Sequence, residues 1–296
     1  MSRMSKVMES ALRHSDFKKE TGDTKTAIEK MEMRSADEDE TYSLPKRRYQ
    51  SEVRSMQMFG CQMIVFDGSE STQNVVIYLH GGAYVSEITL LHIAFCDRVA
   101  KKANATVIAP IYPLTPNHTY DETYEIVEKL YKSLLESEKP VTVMGDSAGG
   151  GLTAAFCQYL GENSIEMPER QILISPWVDV SMSGDYSGYD EKDPMLGVDG
   201  LREVGKAWSG DLDMTDYKVS PLFGNTENQP KTTIFIGTHE IFYPDVMKFA
   251  DKLKKSGVEV DLNVGDEMSH VYPLYPMVPE AKDAADKIIR TISQSG

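Results

Sequence analysis

Ser147 stands where a side chain could act as a nucleophile. It is the centre of Gly145-Asp146-Ser147-Ala148-Gly149, which follows the β-favouring run Val141–Met144 and precedes apolar residues at helical spacing (Leu152, Ala155, Phe156, Tyr159, Leu160). That pattern is a strand, a sharp turn and a helix, with serine at the apex. The turn strains the apex backbone, and the flanking glycines remove side chains that would clash with strand and helix. The hydroxyl would then stand clear of the sheet at a helix N-terminus, whose dipole favours a developing negative charge. The plainer alternative is a glycine-rich loop whose serine is an ordinary N-cap. A serine hydroxyl is a poor nucleophile at neutral pH; acyl transfer through it needs a base within hydrogen-bond reach and an acid to orient that base. It also needs fixed N–H donors for the oxyanion of the tetrahedral intermediate. His80-Gly81-Gly82-Ala83, directly after the apolar run Val75–Leu79, offers them at Gly81 and Gly82, with the Ala148 N–H as a third. The plainer alternative there is a simple Gly-Gly turn. On this reading His80 is a structural hydrogen-bonder, and His14, His92 and His118 are helix or loop residues.

The elements that must position these groups alternate along the chain. Ser55–Phe59 and Cys61–Phe66 read as two strands closed by a turn at Asp67-Gly68. Val75–Leu79, Ala105–Ala109, Pro140–Gly145, Gln171–Ser175 and Thr232–Ile236 are short apolar runs of the kind found in buried parallel strands. Val258–Val264 alternates, as an edge strand does. Helical periodicity covers the segments around Leu90–Val99, Thr119–Glu136, Pro244–Ser256 and Val278–Ser293. Strands alternating with helices predict a mostly parallel, twisted sheet flanked by helices. Residues 51–180 and 223–296 form this core. Residues 181–222, rich in Gly, Asp, Ser and Tyr, read as an excursion from it with one helix, Asp199–Trp208. Residues 1–50 carry helical spacing at Met4–Leu12 and Thr26–Met31, then an acidic linker Ala36–Glu40. They form either a frayed extension or a helical cap over a site. Trp177, Trp208, Tyr186 and Tyr189 are packing residues, some of which could line an acyl pocket.

Composition narrows the partners. A net charge of −15 over 296 residues argues against nucleic acid and anionic membrane surfaces. Cys61, Cys96 and Cys157 make neither a metal spacing nor an even disulfide framework, and fit a reducing compartment. The first residues show no apolar signal-peptide core, and no apolar run reaches the length of a membrane span. The expectation is a cytoplasmic protein acting on a small-molecule substrate, without metal or cofactor. Homo-oligomerisation is left open by the sequence.

A serine at the apex of such a turn matches the nucleophile elbow of α/β-hydrolases, in which the acid and then the histidine follow the serine along the chain. Of the six histidines, only His239 and His270 follow Ser147. His239 precedes the acid Glu240 on the same turn, which leaves His270 as base. Glu240, just past the strand Thr232–Ile236, is the orienting acid. Asp245 is a rival better explained by the first turn of a helix, behind Pro244. Asp266 and Glu267 are weaker rivals, too close in sequence to His270. Together, His80–Ala83, Tyr112-Pro113-Leu114-Thr115-Pro116, Gly145–Gly149, Ser175-Pro176-Trp177-Val178-Asp179, Gly237–Glu240 and His270 resemble, in order, the motifs of hormone-sensitive-lipase-like carboxylesterases. The likeness spans roughly residues 52–290. It implies an α/β-hydrolase fold with a cap and ester hydrolysis through an acyl-enzyme. Three positions depart from the family pattern: Ala83 replaces the last glycine of HGGG, Pro113 the arginine of a YRLAP-like stretch, and Glu240 the more usual aspartate. The longer Glu240 side chain must fold back to reach His270. An amidase or peptidase on the same triad, and a non-catalytic binding protein on the same fold, are the alternative readings.

Overall fold

In the computed structural model, residues 1–36, 41–137 and 139–294 are described; of the expected acidic linker Ala36–Glu40, residues 37–40 lie outside them. The strands are β1 (Glu52–Met58), largely polar and exposed, and then β2 (Cys61–Asp67), β3 (Asn74–Leu79), β4 (Ala105–Pro110), β5 (Val141–Asp146), β6 (Arg170–Ile174), β7 (Lys231–Gly237) and β8 (Val260–Gly265), in which Val, Ile and other strand-favouring residues recur. They form one sheet in the order β1-β2-β4-β3-β5-β6-β7-β8. β1 and β2 are antiparallel, as are β2 and β4; every later pair is parallel. The first two strands are joined at Phe59-Gly60, both with positive φ (52° and 78°), the signature of a two-residue hairpin turn. Asp67-Gly68 therefore does not close this hairpin, contrary to the sequence reading: β2 continues through Asp67, which pairs with both Glu52 and Thr106.

The helices are α1 (Arg3–Arg13), α2 (Phe17–Gly22), α3 (Thr24–Ala36), α4 (Leu90–Ala103), α5 (Tyr120–Leu135), α6 (Ser147–Glu162), α7 (Val198–Ser209), α8 (Tyr243–Lys255) and α9 (Pro279–Ser293). The period of two along each strand sends alternate side chains to opposite faces. Met63, Val65, Ile77, Leu79 and Val143 pack with α5, α6 and α8. Ile64, Phe66, Val76, Tyr78 and Met144 pack with α4 and α9. Both faces are covered, which is why the central strands read as continuous apolar runs rather than alternating ones. β8, an edge, is half-exposed to exposed throughout, and its burial does not follow the strict alternation that the sequence suggested.

The first 36 residues are helical and docked. The α2 segment is short and polar, and sequence periodicity held no sign of it. Ser2 and Ser5 hydroxyls donate to the Glu280 carboxylate at the start of α9 (2.9 and 2.7 Å). Ala27 and Met31 of α3 form an apolar cluster with Val204 of α7 and Val85, in the loop after β3.

Candidate active site

The chain leaves β5 and turns directly into α6, whose first residue is Ser147. Ser147 has φ +53°, a left-handed conformation that costs a non-glycine residue of order 1–3 kcal/mol. The surroundings impose it. β3 passes so close that a Cβ on Gly149 would lie 2.0 Å from the Leu79 carbonyl oxygen, and one on Gly145 would lie 2.2 Å from the Gly149 oxygen. The Ser147 carbonyl accepts the Trp177 N–H at 2.9 Å, tying the elbow to the segment after β6.

Two loops bring their side chains to this apex. His270, after β8, places Nε2 2.8 Å from Ser147 Oγ. Its Nδ1 lies 2.7 Å from Glu240 Oε2, three residues past β7. Glu240 does fold back: its Oε1 accepts the N–H of Gly237 (2.5 Å) and the Ser175 hydroxyl (2.8 Å). Ser175 Oγ in turn accepts the Val271 N–H at 3.0 Å, so one hydroxyl bridges the acid to the segment carrying the histidine. Ser175 lies in a stretch singled out above, but nothing in its neighbours' types announces this bridge. Burial by itself pulls the His270 imidazole down, but the Glu240 carboxylate on Nδ1, then Asp193 and Asp146, outweigh it and hold the ring above its ordinary value.

Gly81, expected among the oxyanion donors, is engaged elsewhere. Its N–H donates to Asp146 Oδ1 at 2.9 Å, because the Asp146 side chain turns back toward the loop after β3. The peptides that follow are bent sharply, with φ +127° at Gly82, +53° at Ala83 and +58° at Tyr84. The N–H groups of Gly82 and Ala83 have no hydrogen-bond acceptor among the described residues. Ala148 lies in the first turn of α6, where N–H groups lack intrahelical partners. Ala83, noted from the sequence only as the replacement for the last glycine of HGGG, thus has an N–H without an acceptor among the described residues.

Asp146 is itself a buried hub that sequence reasoning missed. It accepts the Tyr78 hydroxyl (2.5 Å) and the His92 Nε2–H (3.2 Å) besides Gly81. Burial raises its carboxyl, but His92, then Tyr78 and Gly81, overcome that and keep it below the usual range. His92 is far from a bland helix residue: its Nδ1 accepts the Thr89 N–H at 3.0 Å, closing a capping box on α4. The one local signal for it was a Thr three residues before a polar side chain. Asp146→Ala leaves three buried donors without a partner, so it is expected to cost about 3–5 kcal/mol in urea unfolding.

The remaining candidates lie apart. His239 Nδ1 faces Glu9 Oε2 of α1 at 3.3 Å. Asp245 accepts from Tyr186 (2.6 Å) and Lys248 (2.9 Å) at the start of α8. Neither Asp266 nor Glu267 bonds His270 among the described residues. His80 is fully buried, donates from Nδ1 to the Gly81 carbonyl (2.7 Å) and stacks on Tyr112 at 4.3 Å. Burial, then His92, bring its ring down to about 4, so it stays neutral. Tyr84, Trp208, Trp177 and Phe242 form a buried aromatic chain, and Phe242 meets the His270 ring edge-on at 5.3 Å. Tyr189 stacks on Tyr243 at the outer end of the excursion.

Comparison with known proteins agrees with this architecture. An esterase of Acinetobacter venetianus is 27% identical over 239 residues, 79% of each chain. An acetyl-hydrolase of Streptomyces hygroscopicus is 29% identical over 229 residues, 75% of this chain and 77% of its own. The crystal structure of EstE5 soaked with p-nitrophenyl butyrate superposes with a TM-score of 0.85 at 26% identity over 99% of both chains. A family model described as alpha/beta hydrolase fold matches residues 76–274. Taken with the eight-stranded sheet and the serine elbow, these findings establish that the chain belongs to the α/β-hydrolase fold family.

Proposed function

We propose that this chain is a serine hydrolase that cleaves small carboxylic esters through an acyl-enzyme, with Ser147 as nucleophile, His270 as base and Glu240 as orienting acid. The observation that carries the reading is the unbroken relay from Ser147 Oγ through both His270 nitrogens to Glu240, at 2.8 and 2.7 Å. Ser147 Oγ attacks the ester carbonyl while His270 Nε2 takes its proton. Glu240 holds the Nδ1–H tautomer and stabilises the imidazolium. The oxyanion meets the N–H groups of Gly82, Ala83 and Ala148, with Ala83 in the place first given to Gly81. The imidazolium returns the proton to the leaving alcohol, and water repeats the sequence on the acyl-enzyme. Relatives named esterase and acetyl-hydrolase favour an ester over an amide substrate. The deep setting of Ser147, only 8% exposed, favours a short acyl group.

The same reading divides the chain into a core of residues 51–180 and 223–296, capped by 1–50 and 181–222. The packing of α3 on α7 and on Val85 beside the oxyanion loop supports it. The three free, buried cysteines fit a reducing, cytoplasmic setting, and no helix among the described residues is long and apolar enough to cross a membrane. The test is a p-nitrophenyl ester series from acetate to laurate, run beside matched anilides and a fluorophosphonate probe. Stoichiometric labelling, kcat/KM falling beyond butyrate and anilides slower than esters are expected. An unlabelled protein returns the reading to a binding role, and anilides cleaved as fast as esters make it an amidase.

A further inference from the structure

One wholly buried carboxylate has no part in the scheme above. Asp193 sits in the loop that precedes α7. Its Oδ1 accepts the N–H groups of Met195 (2.8 Å) and Leu196 (2.9 Å) within that loop. Its Oδ2 reaches out of the loop and accepts the Ile241 N–H at 2.9 Å. Ile241 is the residue after Glu240. A second contact runs from the same loop to the other partner of the relay: the Tyr275 hydroxyl lies 3.2 Å from Met195 Sδ and donates to the His270 carbonyl at 3.1 Å. Residues 193–195 therefore touch the backbone beside the acid directly and the backbone of the base through one tyrosine.

The loop is fastened from outside by the N-terminal helices. Lys18 Nζ of α2 donates to the carbonyls of Asp190, Asp193 (3.0 Å) and Leu196 (3.0 Å). Thr21 donates to the Met195 carbonyl (2.9 Å) and accepts the Gly197 N–H (3.1 Å). Arg13 donates to the Glu191 (3.3 Å) and Lys192 (2.6 Å) carbonyls. Satisfying one loop with a wholly buried carboxylate is a costly way merely to close a turn, since its charge must be desolvated. It is an effective way to make a turn stiff, and a triad tolerates displacements of only about 0.5 Å.

We propose that Asp193 is a positioning residue of the triad: through the Ile241 N–H it holds the Glu240 turn in bonding register with His270, and its loop transmits the docking of α2 to that turn. This rests on the roles given above to Ser147, His270 and Glu240. The electrostatics point the same way. Burial pushes the Asp193 carboxyl up to about 6, with His270 opposing, and Asp193 in turn helps hold His270 up. The other ionisable groups on this neighbourhood include Glu240 on the acid turn, Asp146 at the elbow, Tyr275 beyond β8, Lys18 on α2 with its ion-pair partner Asp190 (3.2 Å), and Arg13 on α1.

The experiment uses the full chain, p-nitrophenyl butyrate and active-site titration with a fluorophosphonate, comparing wild type, Asp193→Asn, Lys18→Met and the double variant from pH 5 to 9. The carboxamide of Asp193→Asn has one oxygen where three N–H groups need two, and turns an N–H₂ toward one of them. For Asp193→Asn we expect kcat lower by about tenfold to a hundredfold, with KM within about twofold. The acid limb of kcat/KM should also move to lower pH, because a negative charge beside the imidazole is gone. A residue that only closed its own loop would move that limb by its charge alone and leave kcat per titrated site unchanged, so kcat is the reading that tests the positioning role. Lys18→Met should lower kcat by about threefold to tenfold, and the double variant should be no slower than Asp193→Asn alone. Wild-type kcat per titrated site in Asp193→Asn overturns the proposal, wherever the limb lies. Full activity in Lys18→Met, or losses that multiply in the double variant, overturn the link to α2. If Asp193→Asn does not fold, Lys18→Met carries the test by its kcat against KM. Activity surviving in Ser147→Ala would instead refute the triad reading, whatever Asp193 does.

Discussion

Ser147→Ala is expected to lower the turnover of p-nitrophenyl butyrate by about 10⁴- to 10⁶-fold while leaving the unfolding midpoint within about 0.5 kcal/mol of wild type. The stability half of the result follows from the site. Among the described residues Ser147 Oγ makes its hydrogen bond to His270 Nε2, and the substitution removes that contact alone. The backbone strain at φ +53° is the same for alanine. Glu240→Gln is expected to be nearly as severe, about 10³- to 10⁴-fold, for a reason visible in its partners. Oε1 accepts two donors, Gly237 N–H and Ser175 O–H, and Oε2 faces His270 Nδ1. An amide group in that position must turn its N–H₂ against one set of donors or the other.

The pH profile follows from the same contacts. Because the fold holds His270 above its ordinary value of 6.5, kcat/KM should fall as pH drops through a midpoint above 6.5, where the base gains its proton. The stability linkage has the opposite sense. A raised folded value means that the native state favours the protonated ring, so this contribution is fully present below 6.5 and is lost as pH rises through the folded midpoint. Activity should therefore increase over the pH range in which this part of the stability disappears. Parallel initial-rate and urea-unfolding series would read both; a midpoint below 6.5 would contradict the geometry of the His270–Glu240 pair.

Gly149→Ala should give a protein that does not fold, or one destabilised by more than about 4 kcal/mol. The added Cβ would sit 2.0 Å from the Leu79 oxygen and 2.5 Å from both the Leu79 carbon and the His80 oxygen. All three are backbone atoms of β3 and the loop beyond it. β3 is hydrogen-bonded on both sides, to β4 and β5, and its residues are buried throughout. It cannot move aside without breaking two ladders, and α6 cannot retreat without taking Ser147 with it. Gly60→Ala is the control. Gly60 has a positive φ, +78°, which Gly149 lacks, and a Cβ there meets nothing within 4 Å. It should cost about 1 kcal/mol, the conformational penalty alone. A Gly149→Ala protein as stable as Gly60→Ala would mean that the elbow is far looser than these distances imply.

What the sequence determined by itself is what depends on neighbours along the chain. The elbow is legible because glycine, serine and glycine at spacing two dictate a local backbone shape, whatever surrounds them. The buried strands are legible because covering both faces of a sheet requires unbroken apolar runs. His270 and Glu240 could be picked out because a known chain order left few candidates. Only the tertiary structure decided where the polar hydrogens go. Gly81 looks like an oxyanion donor until Asp146, 65 residues away, takes its N–H. His92 looks like any helix residue until the fold carries it to Asp146, 54 residues further on. Asp193 looks like one acid among many in a polar stretch until its loop meets Ile241, 48 residues later. The hairpin turn was misplaced for a related reason: Asp-Gly is a turn signal by type, but β2 runs on through Asp67 because β1 and β4 both offer it partners. A buried polar group must find a hydrogen-bond partner, but its type does not say which one. That choice is made by packing, when distant segments are brought within three ångströms of each other and water is excluded.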